Sequence, residues 1–198
     1  MATVTASQVQ ELRHRTGVGM MDCKKALQES GGDLEQAIDL LRTRGQAKAA
    51  TKAARTADEG LVGSYVHLGG KIGVLIEVNC ETDFVAKTDD FQELVRSLAM
   101  QVAAARPLAV DRENLDPEVV EREAAIYRQQ AKESGKPADI TEKIATGRLE
   151  KWYAEICLLE QAFVKDPDRK VSDVITEAIQ RLGENIVVRR FTRYEIGV

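Results

Sequence analysis

Thiols and imidazoles are scarce in this chain. Its 198 residues include three cysteines, Cys23, Cys80 and Cys157, and two histidines, His14 and His67. Three widely spaced thiols make no disulfide framework, and a reducing cytosol is the simplest setting for them. No HExxH, CxxC or GxSxG segment occurs. That removes the zinc-protease, dithiol-redox and α/β-hydrolase signatures together. Long apolar runs are missing as well, and none approaches the ~18 residues that a membrane-spanning helix requires. The first residues lack the basic start and apolar stretch of a secretory signal. The expectation is a cytoplasmic protein with no membrane role.

What is present fits a packed soluble fold. Hydrophobic residues make up 43% and charged residues 30%, so wholesale disorder is excluded. A length of 198 residues allows one or two compact domains. The net charge of −4 excludes bulk attraction to polyanions, but the charge is uneven. Residues 1–57 hold nine Lys/Arg and six Asp/Glu, a mildly basic piece on an acidic body.

Local signals divide the chain into three parts. Residues 1–45 read as three short helices. Thr5 and Gln8 form a capping box, Gly17 and Gly19 punctuate a loop, and Gly31-Gly32 stops the second helix. Asp33 with Gln36 caps the third, and Gly45 is the expected stop. Residues 46–58 are Ala-rich and basic, without an apolar stripe, and read as a solvated helical linker.

An α+β unit over residues 59–198 follows. Leu61 to Leu68 and Lys71 to Cys80 flank Gly69-Gly70, a hairpin signal. Ile72, Val74, Ile76, Val78 and Cys80 share one strand face by period two. Leu75 on the other face suggests cover on both sides. Thr88 or Asp89 caps the next helix. Two helices over 116–163 follow, started by Asp116-Pro117 and by Asp139 with Glu142, the first of them stopped by Gly135-Lys136-Pro137. Leu149, Trp152, Ile156, Leu159 and Phe163 form a 3-4 seam, which predicts an antiparallel helical hairpin. A final helix over 172–182 and a strand over 186–196 complete an antiparallel three-stranded sheet packed with helices.

No catalytic constellation emerges. Gly70-Lys71 is a poor phosphate loop, because Tyr65 stands where glycine is needed and Ile72 where the magnesium-holding hydroxyl belongs. Cys80 and His67 on neighbouring strands suggest a nucleophile pair, but a small buried hydrophobe is the stronger role for Cys80. Asp89 and Asp90 suit a helix start. No cofactor and no metal is expected.

Two segments exceed what folding requires. Thr16 to Leu27 carries a glycine loop into Met20 and Met21, which either complete a small core or form an adaptable binding edge. Asn79 to Lys87 places Phe84 in a polar connection, where it either caps the core or inserts into a partner.

These segments resemble the bacterial elongation factor Ts family. ELRHRTGVGMMDCKKAL (Glu11–Leu27) and EVNCETDFVAK (Glu77–Lys87) are similar to its two signatures. Likeness continues through GSYVHLGGKIGVL (Gly63–Leu75), QAFVKD (Gln161–Asp166) and GENIVVRRFTRYEIG (Gly183–Gly197), over nearly the whole chain. The resemblance implies an N-terminal, ubiquitin-associated-like bundle that docks on the GTPase elongation factor Tu through Arg13, Met20 and Met21. It implies a wedge of Thr82, Asp83, Phe84 and Val85. Phe84 then enters the partner near its magnesium and phosphate loop, and GDP leaves. His67 matches a histidine near the partner's other domains. Longer members carry two sheet-bearing units and this chain one, which implies a two-fold homodimer, with the 186–196 strand and the Trp152 helix as candidate interfaces. Such an exchange factor is not an enzyme and needs no acid, base or nucleophile.

Three other readings compete. Arg42, Arg44, Lys48, Lys52 and Arg55, with no acid between 42 and 57, suggest an RNA-binding accessory protein. Cys80 suggests a thiol enzyme. The bundle shape alone suggests ubiquitin recognition.

Overall fold

Capping chemistry sets the first helices. The computed structural model describes residues 4–133 and 137–197. It opens with α1 (Ala6–Thr16), α2 (Met20–Glu29) and α3 (Leu34–Lys52). Thr5 and Gln8 make the expected capping box. Gly17 ends α1 at φ 67°, a backbone conformation that side chains resist. Asp33 accepts from Gln36 N at 2.9 Å and starts α3. Val9, Leu12, Val18, Cys23, Ala26, Leu27, Ala37 and Leu41 form the small core between the three helices.

Gly45 does not stop α3, which runs on to Lys52. The glycine is buried there, and a Cβ on it would lie 2.5 Å from Gln180 Oε1. Close packing accounts for this residue, and a helix end does not.

The remaining elements are β1 (Glu59–Val66), β2 (Ile72–Cys80), α4 (Asp83–Ala86), α5 (Asp89–Ala105), α6 (Pro117–Glu133), α7 (Ala138–Ile156), β3 (Ala162–Phe163), β4 (Asp166–Lys170), α8 (Val171–Leu182) and β5 (Val187–Glu195). The fold is α+β, with an antiparallel sheet of order β1-β2-β5. Val74, Ile76, Val78 and Cys80 are buried along β2, as period two predicts. Leu75 is half exposed, so the expected cover on its side is missing. The β1-β2 loop is wider than two residues, closed by His67 N to Ile72 O and Gly70 N to His67 O, each 2.9 Å. Gly60, at φ 144°, lies so close to β2 that a Cβ would meet Val78 O at 2.2 Å.

Two compact units emerge. The first joins residues 1–61, 78–94 and 173–187, and the second residues 62–77, 95–172 and 188–198. Within the second, α6 and α7 pack as the expected hairpin. Asp116 Oδ1 accepts from Glu118 N at 2.9 Å and starts α6. Gly135 and Lys136, expected to stop it, lie outside the described residues. No side chain caps α7, and Pro137 occupies its N-cap. The helix also stops earlier than the seam predicts. Leu158 N donates to Ala109 O and Leu159 N to Val110 O, and this pairing draws the chain out of the helix at Cys157. Leu159 then lies in a 3₁₀ turn and Phe163 in β3.

A buried amide pair organises this second unit. Gln101 is fully buried, and its Nε2 donates to Gln161 Oε1 at 3.0 Å and Ala162 O at 3.1 Å. Its Oε1 accepts from Val164 N at 2.7 Å. Gln161 Nε2 donates onward to Ala105 O and Glu155 O. Each amide therefore satisfies backbone groups of the short β3-β4 hairpin or of a helix end. Gln101→Leu keeps the volume but orphans several of these groups, and should destabilise the protein by ~2–4 kcal/mol. Urea unfolding checks this, with Gln92→Leu as an exposed control.

Candidate functional site

The segment after β2 folds as a single capped turn. Thr82 is extended at φ −134° and ψ 152°, the usual geometry of an N-cap, and accepts from Val85 N through Oγ1 at 3.3 Å.

 Asp83, Phe84, Val85 and Ala86 make the turn, which is the helix α4. Ala86 is buried and Val85 half-buried, so the turn rests on that side. Phe84 is 80% exposed. Core capping, the ordinary explanation for an aromatic at this place, is therefore excluded. Thr88 closes the turn by donating to Val85 O at 2.7 Å, and it caps α5 by accepting from Phe91 N at 3.3 Å.

The turn is anchored by groups distant in sequence. Glu184 Oε2 accepts from Glu81 N at 3.1 Å and from Thr82 N at 3.0 Å, and Glu184 Oε1 accepts from Thr82 Oγ1 at 2.6 Å. In return, Glu81 Oε1 accepts from Asn185 N at 2.6 Å. Asn185 is buried, and its Nδ2 donates to Arg55 O at 2.8 Å. Sequence reasoning gave Glu184 and Asn185 no role of their own, although both stand in the GENIVVRRFTRYEIG segment, because nothing local shows that they meet residues 81 and 82. Asp83 is paired with Lys87 at 2.6 Å. The Lys87 hydrogen bond holds the Asp83 carboxyl below its usual range. That contribution is present above the ordinary carboxylate range and fades as the pH falls through the lowered value.

Met20 and Met21 lie at the start of α2, 41% and 66% exposed, beside a core that Val18 and Cys23 fill without them. Arg13 is exposed on α1. These three residues and the Phe84 turn belong to the same compact unit, whereas His67 belongs to the other. His67 is exposed, and its Nδ1 lies 3.1 Å from the Tyr65 hydroxyl. Both line a cleft of about 400 Å³ with Met100, Arg106, Lys165 and Arg193.

Cys80 makes no pair with His67. It is buried, donates to Thr82 O at 3.2 Å, and burial pushes its thiol up. Among the described residues no cluster of three or more His, Cys, Asp or Glu is placed to hold a metal. The basic run is also engaged. Arg42 pairs with Asp173 and Lys48 with Asp22, each at 2.8 Å, and Arg44 pairs with Glu29. Lys52 donates to Gly183 O, and Arg55 lies 3.4 Å from Glu81. With four of these five cations in ion pairs and the fifth on a carbonyl, the stripe offers little to a phosphate backbone.

Comparison with known proteins decides the family. The family model described as "Elongation factor TS" matches residues 6–198. The chain belongs to the elongation factor Ts family. It is 62% identical to the elongation factor Ts of Geotalea daltonii over 195 residues, covering 98% of this chain and 90% of that one. It is 61% identical to the elongation factor Ts of Moorella thermoacetica over 194 residues, covering 98% and 96%. The elongation factor Ts of Carboxydothermus hydrogenoformans is 57% identical over 194 residues, with 98% and 89% covered. These matches run through both the methionine-bearing helix and the Phe84 turn. No helix of the described residues is long and apolar enough to cross a membrane.

Two outcomes follow from the burial pattern. Phe84→Ala removes only exposed surface and should change stability by less than ~0.5 kcal/mol in thermal unfolding. All three cysteines are buried, and burial raises each thiol, Cys157 to about 11. An aromatic disulfide reagent at neutral pH should therefore label the folded protein no faster than it unfolds, which stopped-flow absorbance in and out of denaturant checks.

Proposed function

We propose that this protein is a guanine-nucleotide exchange factor for elongation factor Tu. It binds the GDP-bound GTPase in the cytoplasm and promotes GDP release, so that GTP can bind during translation elongation. The observation that carries the reading is Phe84, presented at 80% exposure on a turn fixed at both ends. An aromatic held outward is a low-entropy anchor for a partner pocket. Family membership supplies the partner, and the exposed Met20, Met21 and Arg13 supply a second contact in the same unit. His67 adds a weaker third contact.

Exchange needs no bond to be made in the protein. A surface that binds the nucleotide-free GTPase more tightly than the GDP form weakens GDP by the same factor. Thr82, Asp83 and Val85 build the turn that presents Phe84, and Phe84 displaces groups around the partner's magnesium and phosphate loop. Residues 1–45 are the docking bundle in this reading, 46–58 its basic connection, and 59–198 the core and dimer-forming part.

The reading includes a two-fold homodimer. Val62, Leu75 and Phe191 line a groove of about 240 Å³ with Glu77 and Arg190, and Val62 and Leu75 are exposed. Tyr194 and Ile196 at the end of the chain's last strand are exposed too. Apolar surface of this kind is characteristic of a subunit interface.

Release of a fluorescent GDP analogue from elongation factor Tu tests the function. Catalytic amounts of the protein should accelerate release strongly, and Phe84→Ala should remove at least ~tenfold of that acceleration, as loss of a central aromatic anchor does. Sedimentation should give twice the chain mass. A folded dimer that leaves GDP release unchanged would overturn the exchange reading.

A further inference from the structure

We propose that Glu184 is a positioning residue for the Phe84 turn, acting through Thr82. The functional part of this inference rests on the exchange reading above. The structural part does not.

Glu184 lies just beyond α8, far along the chain from the turn, yet three donors converge on its carboxylate. Glu81 N and Thr82 N share Oε2, and Thr82 Oγ1 takes Oε1. The Thr82 hydroxyl is thereby fixed as a donor toward Glu184. Its lone pair is left aimed at Val85 N, the contact that starts the turn carrying Phe84. A hydroxyl that donates to a carboxylate is a better acceptor for the next donor in the chain. The residue type follows from this geometry. Two acceptor oxygens without a proton are needed, and the bonds to a carboxylate are the stronger kind. Glutamine would put an amino group against one set of these donors.

The contact is reciprocal. Glu81 returns a carboxylate to Asn185 N, so residues 81–82 and 184–185 clip each other from both sides. With Thr82 held, Ala86 is buried and Phe84 faces out. Without Glu184, two backbone amides lose their acceptor and the Thr82 hydroxyl is free to rotate. The turn is too short to hold itself, because one helical turn alone is below the length at which helices persist.

Glu184→Ala and Glu184→Gln test the proposal by two independent measurements. The first is amide hydrogen exchange of the free protein. The Val85 and Ala86 amides should exchange ~tenfold faster or more in Glu184→Ala, while those of Leu12 and Leu27 in the bundle core keep their parent rates. The second is GDP release from elongation factor Tu. Glu184→Ala should lower kcat by ~tenfold with KM changed less than ~twofold, as misplacement of an already bound group does. The double variant with Phe84→Ala should be no slower than Phe84→Ala alone, since both changes remove the same placed ring. Glu184→Gln should fall between parent and alanine in both measurements, and it carries them alone if Glu184→Ala does not fold. Unchanged Val85 and Ala86 amides would overturn the proposal, and so would losses that multiply in the double variant. If the parent protein itself leaves GDP release unaccelerated, the exchange reading fails and hydrogen exchange still decides the role of Glu184.

Discussion

Two carboxylates placed across from each other hold the Phe84 turn of this protein. Glu184 gathers the amides of residues 81 and 82, and Glu81 gathers the amide of Asn185. The strand β2 ends at Cys80, so the backbone leaves its sheet partners there and its amides need new acceptors. The clip supplies them with charged oxygens in a half-buried place. Everything that follows, the Thr82 cap, the single turn, the outward Phe84 and the Thr88 restart into α5, depends on that handover.

The same economy of contacts appears in the second unit, with amides in place of carboxylates. Gln101 and Gln161 satisfy the backbone around β3 and the end of α7. In both places the chain changes from one regular element to another. Polar side chains from far along the sequence take over the hydrogen bonding that the regular element no longer provides.

Regular elements were legible in the sequence because their signals are periodic and local. The Thr5 and Asp33 caps, the alternation along β2, the Asp116-Pro117 start and the α+β class all follow from residues within a few positions of each other. The candidate site was legible as an oddity and as a family likeness, since Phe84 and the two methionines stand in places where apolar residues are unusual. What was not legible is long-range. Gly45 reads as a stop because nothing nearby reveals that Gln180 lies against it. The seam reads on to Phe163 because nothing in it announces that residues 109–110 pair with the chain at 158–159. Arg42, Lys48 and Arg55 read as a free basic face because their acids lie 26 or more residues away.

Helix α3 has a mechanical consequence. Its 19 residues run unbroken from the bundle core to Lys52, a rod of about 28 Å at the usual helical rise. Because Gly45 sits inside the rod and under Gln180, no hinge is available there to absorb strain. The far end of the rod is tethered, Lys52 donating to the carbonyl of Gly183, the residue before Glu184. A displacement of the bundle end of this rod is therefore passed to the residue beside Glu184, whose carboxylate accepts from the Thr82 amide and hydroxyl.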